Sequence, residues 1–120
     1  NDDALALWEA SSVKGPYEHV NPYCFELPVS PHIAAREAGL PIDLEHVAQS
    51  ARALGQHCDW LIIEGVGGWR APLGPTLTVA DMAMRLGLPV ILVVGVRLDC
   101  LNHALLTLES IRACGLPFAG

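Results

Sequence analysis

Two short apolar runs stand out along the chain: Trp60-Leu61-Ile62-Ile63, closed by Glu64-Gly65, and Val90-Ile91-Leu92-Val93-Val94, closed by Gly95. Continuous runs of this kind between turn signals read as strands buried on both faces, as in a parallel sheet covered by helices. Between them, Thr78-Val79-Ala80-Asp81 reads as a capping box with Asp standing in for Glu, and Gly87 as the stop of the helix it opens. Beyond the second run, Leu101, Ala104, Leu105, Leu108, Ile111 and Arg112 keep helical spacing up to Cys114-Gly115. Leu116-Pro117-Phe118-Ala119-Gly120 then begins a third extended segment. The order β-α-β-α-β predicts parallel strands joined by right-handed crossovers, with helices on both faces of the sheet.

The first half predicts more helix and one irregular stretch. Asp2 or Asp3 can cap a short helix carrying Ala4, Leu5, Leu7 and Trp8. Asp43 can cap a longer one, with Leu44, Val47, Ala48, Ala51 and Leu54 on one face and Gly55 at its end. Pro16, Pro22, Pro28 and Pro31 break up residues 16–31, which predicts extended loop there and a short helix from His32 to Ala38. No internal repeat, low-complexity tract or linker divides the chain, so residues 1–120 read as one partial domain.

Composition sharpens that reading. Hydrophobic residues make up 52% and charged residues 17% of 120, with a mean hydropathy of +0.36. This excludes disorder, which needs low hydrophobicity and high charge. No apolar run approaches the roughly 18 residues of a membrane helix. A domain this small has a high surface-to-volume ratio and is expected to be more polar. A three-stranded parallel sheet also leaves apolar edges open, and the last segment stops without a turn signal. The expectation is a central piece of a larger sheet, truncated at both ends.

Charge and cysteines exclude further classes. The formal charge is -6, and the bases are Lys14 and six scattered arginines, a poor footprint for nucleic acid or an anionic membrane. Cys24, Cys58, Cys100 and Cys114 form no C-x-x-C and no close pairing with histidines, which argues against a zinc site or disulfide framework. Free cysteines in apolar contexts suit a reducing cytoplasm.

Chemistry is expected where strands end, since open α/β sheets bind ligands at their carboxyl edge. The first run ends in Glu64-Gly65-Val66-Gly67-Gly68-Trp69. A carboxylate followed by glycines that admit backbone N–H groups to a ligand suits a metal-phosphate site; an exposed Glu64 on a plain glycine turn is the alternative. The second run leads through Asp99-Cys100-Leu101-Asn102-His103 into a helix, whose start can attract an anion or can simply be capped by Asn102 or Asp99. Ser30-Pro31-His32 could place a hydroxyl and an imidazole in a cleft, or merely enter a helix. G-x-S-x-G, H-E-x-x-H and the phosphate-loop pattern G-x-x-x-x-G-K-[ST] are all absent from these residues.

In these same segments the sequence resembles the ATP-dependent dethiobiotin synthetases of biotin biosynthesis. The likeness rests on Asn1-Asp2-Asp3-Ala4-Leu5-Ala6-Leu7, Val20-Asn21-Pro22-Tyr23, Ser30-Pro31-His32, Glu64 to Trp69, Leu88 to Gly95 and Cys100 to Thr107. It implies a P-loop NTPase-like fold, a homodimer, and MgATP-driven ring closure of 7,8-diaminononanoate with CO₂. It further implies that Asp3 and Glu64 serve Mg²⁺ and the ATP site, and that Gly65, Val66 and Gly67 lie beside the nucleotide and the diamine. Gly67, Cys100 and Asn102 are implied to bind substrate, the last two by holding its carboxylate across the dimer interface. The phosphate-loop lysine and threonine, the active-site lysine and a substrate-binding serine correspond to family positions upstream of Asn1, and the adenine-contacting segment to positions beyond Gly120. No catalytic residue is therefore assigned within the chain, and these 120 residues alone are expected not to turn over ATP. Asp99 stands where the family usually has glycine, and a carboxylate there would repel a substrate carboxylate unless it points away. Two other readings are a P-loop switch or partitioning-type ATPase, for which Asp rather than Glu64 is expected at the strand end, and a non-catalytic interaction subunit.

Overall fold

A computed structural model describes residues 2–120; Asn1 of the first motif lies outside the described residues. Six helices follow in order: α1 (Asp2–Ala10), α2 (Tyr17–Val20), α3 (Pro31–Glu37), α4 (Leu44–Gly55), α5 (Val79–Leu86) and α6 (Cys100–Ala113). α4 packs against α2 and α5, and α1 packs against α2.

Local signals explain most of the boundaries. Asp43 caps α4, its Oδ1 accepting from Glu45 N–H at 2.8 Å. Thr78 and Asp81 form the predicted capping box at α5, and Gly87 ends that helix in the left-handed region at φ 66°. Gly115, at φ 72°, follows α6 in the same way. Asp2 and Asp3 lie within the first turn of α1, where acidic side chains oppose the positive end of the helix dipole. The far end of α1 is closed by Lys14, whose Nζ donates to the carbonyls of Trp8 and Glu9 at 2.6 and 2.7 Å and sits 5.1 Å from the Trp8 ring centroid.

Residues 16–31 are not loop throughout. Pro16 occupies the N-cap of α2, and the helix stops at Asn21, which the following Pro22 keeps out of helical geometry at φ -132°. The prolines thus bracket a turn of helix rather than preventing one. At α3, Pro31 takes the first helical position, where its missing N–H costs nothing. Tyr23 fixes the intervening loop over the start of α4: its hydroxyl accepts from Asp43 N–H at 2.9 Å, and its ring meets His46 edge-on at 5.6 Å.

Strand pairing among the described residues is confined to isolated bridges, and the parallel one joins the second run to the last segment. Val90 pairs in parallel with Phe118: Val90 N–H donates to Pro117 O at 2.8 Å, Ala119 N–H to Val90 O at 2.8 Å, and Leu92 N–H to Gly120 O at 2.7 Å. α6 lies between these two segments in the chain. The run at 60–63 pairs with no other described segment. Burial on both faces is not observed for either run. Trp60 and Ile62 are 88% and 89% exposed, Ile91 and Val93 are 71% and 88% exposed, and the residues alternating with them are partly covered. That is the period-two pattern of an extended segment with one face packed and the other bare.

The enclosed core is accordingly small: Ala4, Ala34, Ala35, Ala48, Leu73, Val79, Ala80 and Ile111. The accessible surface is 8431 Å², against ~6,300 Å² for a compact chain of this mass. The excess surface includes the bare faces of the two apolar runs.

The α5 box makes a pH-dependent contribution. Hydrogen bonds from the Thr78 side chain and then the Thr78 backbone N–H lower the Asp81 pKa below 3.8. A depressed carboxylate stabilises fully above its unfolded value and loses that contribution as pH falls through the folded one. Thr78→Ala is expected to cost about 1 kcal/mol near neutral pH by urea unfolding, and the gap from the parent should shrink below pH 3.8. A gap independent of pH would show that the box contributes nothing through Asp81.

Candidate functional site

The glycine-rich stretch after Glu64 is shaped by two left-handed residues, Gly67 at φ 72° and Gly68 at φ 116°. A Cβ at Gly67 would lie 3.2 Å from Ala71 Cβ, so both the backbone angle and the close approach call for glycine. A Cβ at Gly65 would lie 3.2 Å from Val79 Cγ1, at the start of α5. Downstream, Leu73 and Gly74 N–H groups donate to Leu77 O, and Pro72 bridges Thr78, folding residues 72–78 back on themselves. The loop then closes on α5: Val79 N–H donates to Ala71 O at 3.0 Å and Ala80 N–H to Trp69 O at 2.9 Å. The connection is therefore ordered, and it presents Glu64, Gly65, Val66 and Gly67 exposed.

The start of α6 has a different character. Asp99 takes the N-cap position at φ 68°, the one non-glycine residue in the left-handed region among those described, and its side chain makes no capping bond. Cys100 N–H donates to Arg97 O and His103 N–H to Asp99 O, while the amides of Leu101 and Asn102 have no partner among the described residues. No acidic residue occupies the first turn. Open N–H groups at the positive end of a fourteen-residue helix suit an anionic group such as a carboxylate. Capping by Asn102 or by the Asp99 side chain is not what the structure contains. Cys100 is partly covered and Asn102 exposed.

These two regions are joined by a bond that neither motif announces. Trp69 Nε1–H donates to Ser110 Oγ at 3.1 Å, spanning 41 residues from the loop to α6. Asp3 stands apart on the exposed first turn of α1, and no hydrogen bond or ion pair connects it to Glu64 among the described residues. Neither carboxylate is engaged by a described side chain. No cluster of three His, Cys, Asp or Glu side chains forms a metal cage among the described residues. Each carboxylate is a hard oxygen donor of the kind Mg²⁺ accepts, and no described contact brings the two together. Two hollows lie elsewhere, one of 410 Å³ lined by Ser12, His57 and Trp60 among others, one of 490 Å³ by Asp2, Cys24 and Phe25 among others. In the remaining candidate motif, Ser30 is the N-cap of α3 without a side-chain bond, and His32 Nδ1 is buried without a hydrogen-bond partner.

Residues 1–120, the whole chain, match the family described as AAA domain. The chain belongs to the AAA-domain family. Membership supports the P-loop NTPase-like class expected from the sequence. Within it, the chain is 52% identical over all 120 residues to the ATP-dependent dethiobiotin synthetase BioD of Aromatoleum aromaticum, covering 53% of that protein. It is 50% identical over its length to BioD 1 of Escherichia coli strain K12 and 49% identical to BioD 1 of Salmonella typhi, again covering 53% of each. The chain thus spans about half the length of the curated relatives it matches. No described helix is long and apolar enough to cross a membrane.

Two substitutions test the backbone geometry of this AAA-domain site. Asp99→Gly removes a left-handed strain of ~1–2 kcal/mol and loses ~0.4–1 kcal/mol to the freer unfolded chain. Because no capping bond is lost, a net gain of about 0.5–1 kcal/mol is expected in chemical denaturation. Gly67→Ala should instead cost about 1–2 kcal/mol. Equal stabilities for parent and both variants would contradict the geometry assigned to the two turns.

Proposed function

We propose that the protein carrying this chain is an ATP-dependent ligase that carboxylates 7,8-diaminononanoate and closes the cyclic urea of dethiobiotin. The observation that carries this reading is the likeness to dethiobiotin synthetases at about half identity across every residue of the chain. A switch-type ATPase or a bare interaction subunit is not favoured by those relatives. The finer architecture proposed is a parallel sheet in which the runs at 60–63 and 90–94 are inner strands, one partial domain over residues 1–120, working in the cytoplasm.

In this reading one amine of the substrate adds to CO₂ and releases a proton, giving a carbamate. The carbamate oxygen attacks the γ-phosphorus of ATP and ADP leaves. The second amine then attacks the carbonyl of the mixed anhydride and phosphate leaves, closing the ring. The chemistry resides in the substrates, so the protein's part is positioning and charge neutralisation. Gly65, Val66 and Gly67 line the nucleotide and the reacting diamine, offering main-chain groups at close range because no side chain intervenes at either glycine. Cys100 and Asn102 hold the substrate carboxylate at the start of α6, where the amides of Leu101 and Asn102 are open. Asp3 and Glu64 are the residues that would hold Mg²⁺. When bound, that ion neutralises phosphate charge. A homodimer is supported by the exposed Leu101, Leu105 and Leu106 of α6, an apolar stripe beside the anion-binding turn.

The test is ADP release by the full-length protein with MgATP and bicarbonate, as diaminononanoate is titrated in. Release that rises with the diamine supports the reading, and none sinks it. Glu64→Gln should lower that rate by roughly 10–100-fold, with partial recovery at raised Mg²⁺. An unchanged rate would remove Glu64 from the metal site.

A further inference from the structure

Trp69 is held at two points by different elements. Its carbonyl accepts from Ala80 N–H at the start of α5 at 2.9 Å, and its indole N–H donates to Ser110 on α6 at 3.1 Å. Ser110 directly precedes Ile111, the most deeply enclosed large side chain among those described, so its own place is set by packing. Ser110 lies eight residues beyond Asn102, about 12 Å along the helix axis. The loop holding Gly65 to Gly67 and the helix presenting the open amides of Leu101 and Asn102 are thus fixed to each other through one indole. The bond is neutral and partly buried, where an unmade donor is costly. Gly67 and Gly68 just before it are the most conformationally permissive residues of the stretch, and no other described side-chain hydrogen bond ties the loop to α6.

We infer that Trp69 is a positioning residue: through Ser110 it sets the offset between the glycine loop and the α6 start, and so prearranges the diamine-binding geometry. The inference rests on the ligase reading above. It touches neither substrate nor metal directly, so it should act on KM more than on kcat. Trp69→Phe keeps the ring and removes the N–H; Ser110→Ala removes the acceptor; Ser110→Thr keeps a hydroxyl.

In the full-length protein, Trp69→Phe and Ser110→Ala should each raise KM for diaminononanoate about fivefold, the worth of one neutral hydrogen bond. kcat should stay within about twofold of the parent, and Ser110→Thr should restore the parent KM. The double variant should be no worse than either single, because one shared bond can be lost only once. Unchanged KM in both singles, or multiplied effects in the double, overturns the inference. Amide hydrogen exchange separates it from the ligase reading: Gly65 to Gly68 should exchange faster in Trp69→Phe and Ser110→Ala alike. If the parent releases no diamine-dependent ADP, the ligase reading falls and exchange alone decides; unaltered exchange at those glycines overturns the positioning role.

Discussion

The first turn of α5 must find partners for its amides, and the way it does so shapes half the molecule. Val79 and Ala80 donate backward to Ala71 and Trp69, and Asp81 N–H reaches Thr78 Oγ1. Of the four donors that a helix start cannot satisfy internally, these three are met by the residues that precede it, and the fourth, Thr78 N–H, by Asp81 Oδ2. The connection cannot swing free without stranding them. Its fold-back at 72–78, the enclosure of Leu73 and Val79, and the exposed presentation of Glu64 to Gly67 are consequences of that demand.

α6 follows the second apolar run as α5 follows the first, yet its start is left open. Asp99 turns left-handed and its side chain does not cap, so two amides remain available. One helix N-terminus is filled by its own loop and the other is free for a ligand. The difference is a division of labour between stability and recognition. The usual cost of an unsatisfied helix end is accepted at α6, where the substrate carboxylate is proposed to sit.

Legibility in the sequence followed the range of the interactions. Caps at Asp43 and Thr78 and stops at Gly87 and Gly115 depend on neighbours within a few residues, and each was readable. The parallel bridge from Val90 to Phe118 joins two segments separated in the chain by α6 alone. Prolines read as breakers conceal the helix at Tyr17–Val20, which Pro16 precedes at φ -55°, an angle its ring fixes. A continuous apolar string does not reveal whether one face or two is covered, and one face of each run is bare among the described residues. Glu64 to Gly67 and Cys100 to Asn102 were visible as motifs, but the Trp69–Ser110 bond joining their elements had no local signature. Asp99 turns left-handed at φ 68°, a conformation in which glycine is unstrained, and its local sequence carries no signal for that turn.

The bare face of Trp60 and Ile62 has a consequence for the life of the polypeptide in a cell. An extended apolar segment with unpaired backbone groups is a template for adding any strand that arrives, including one from a neighbouring nascent chain. Correct assembly is then a race between intramolecular pairing and capture by a stranger or a chaperone. In the inner-strand architecture proposed above, pairing of the run at 60–63 is what withdraws that template.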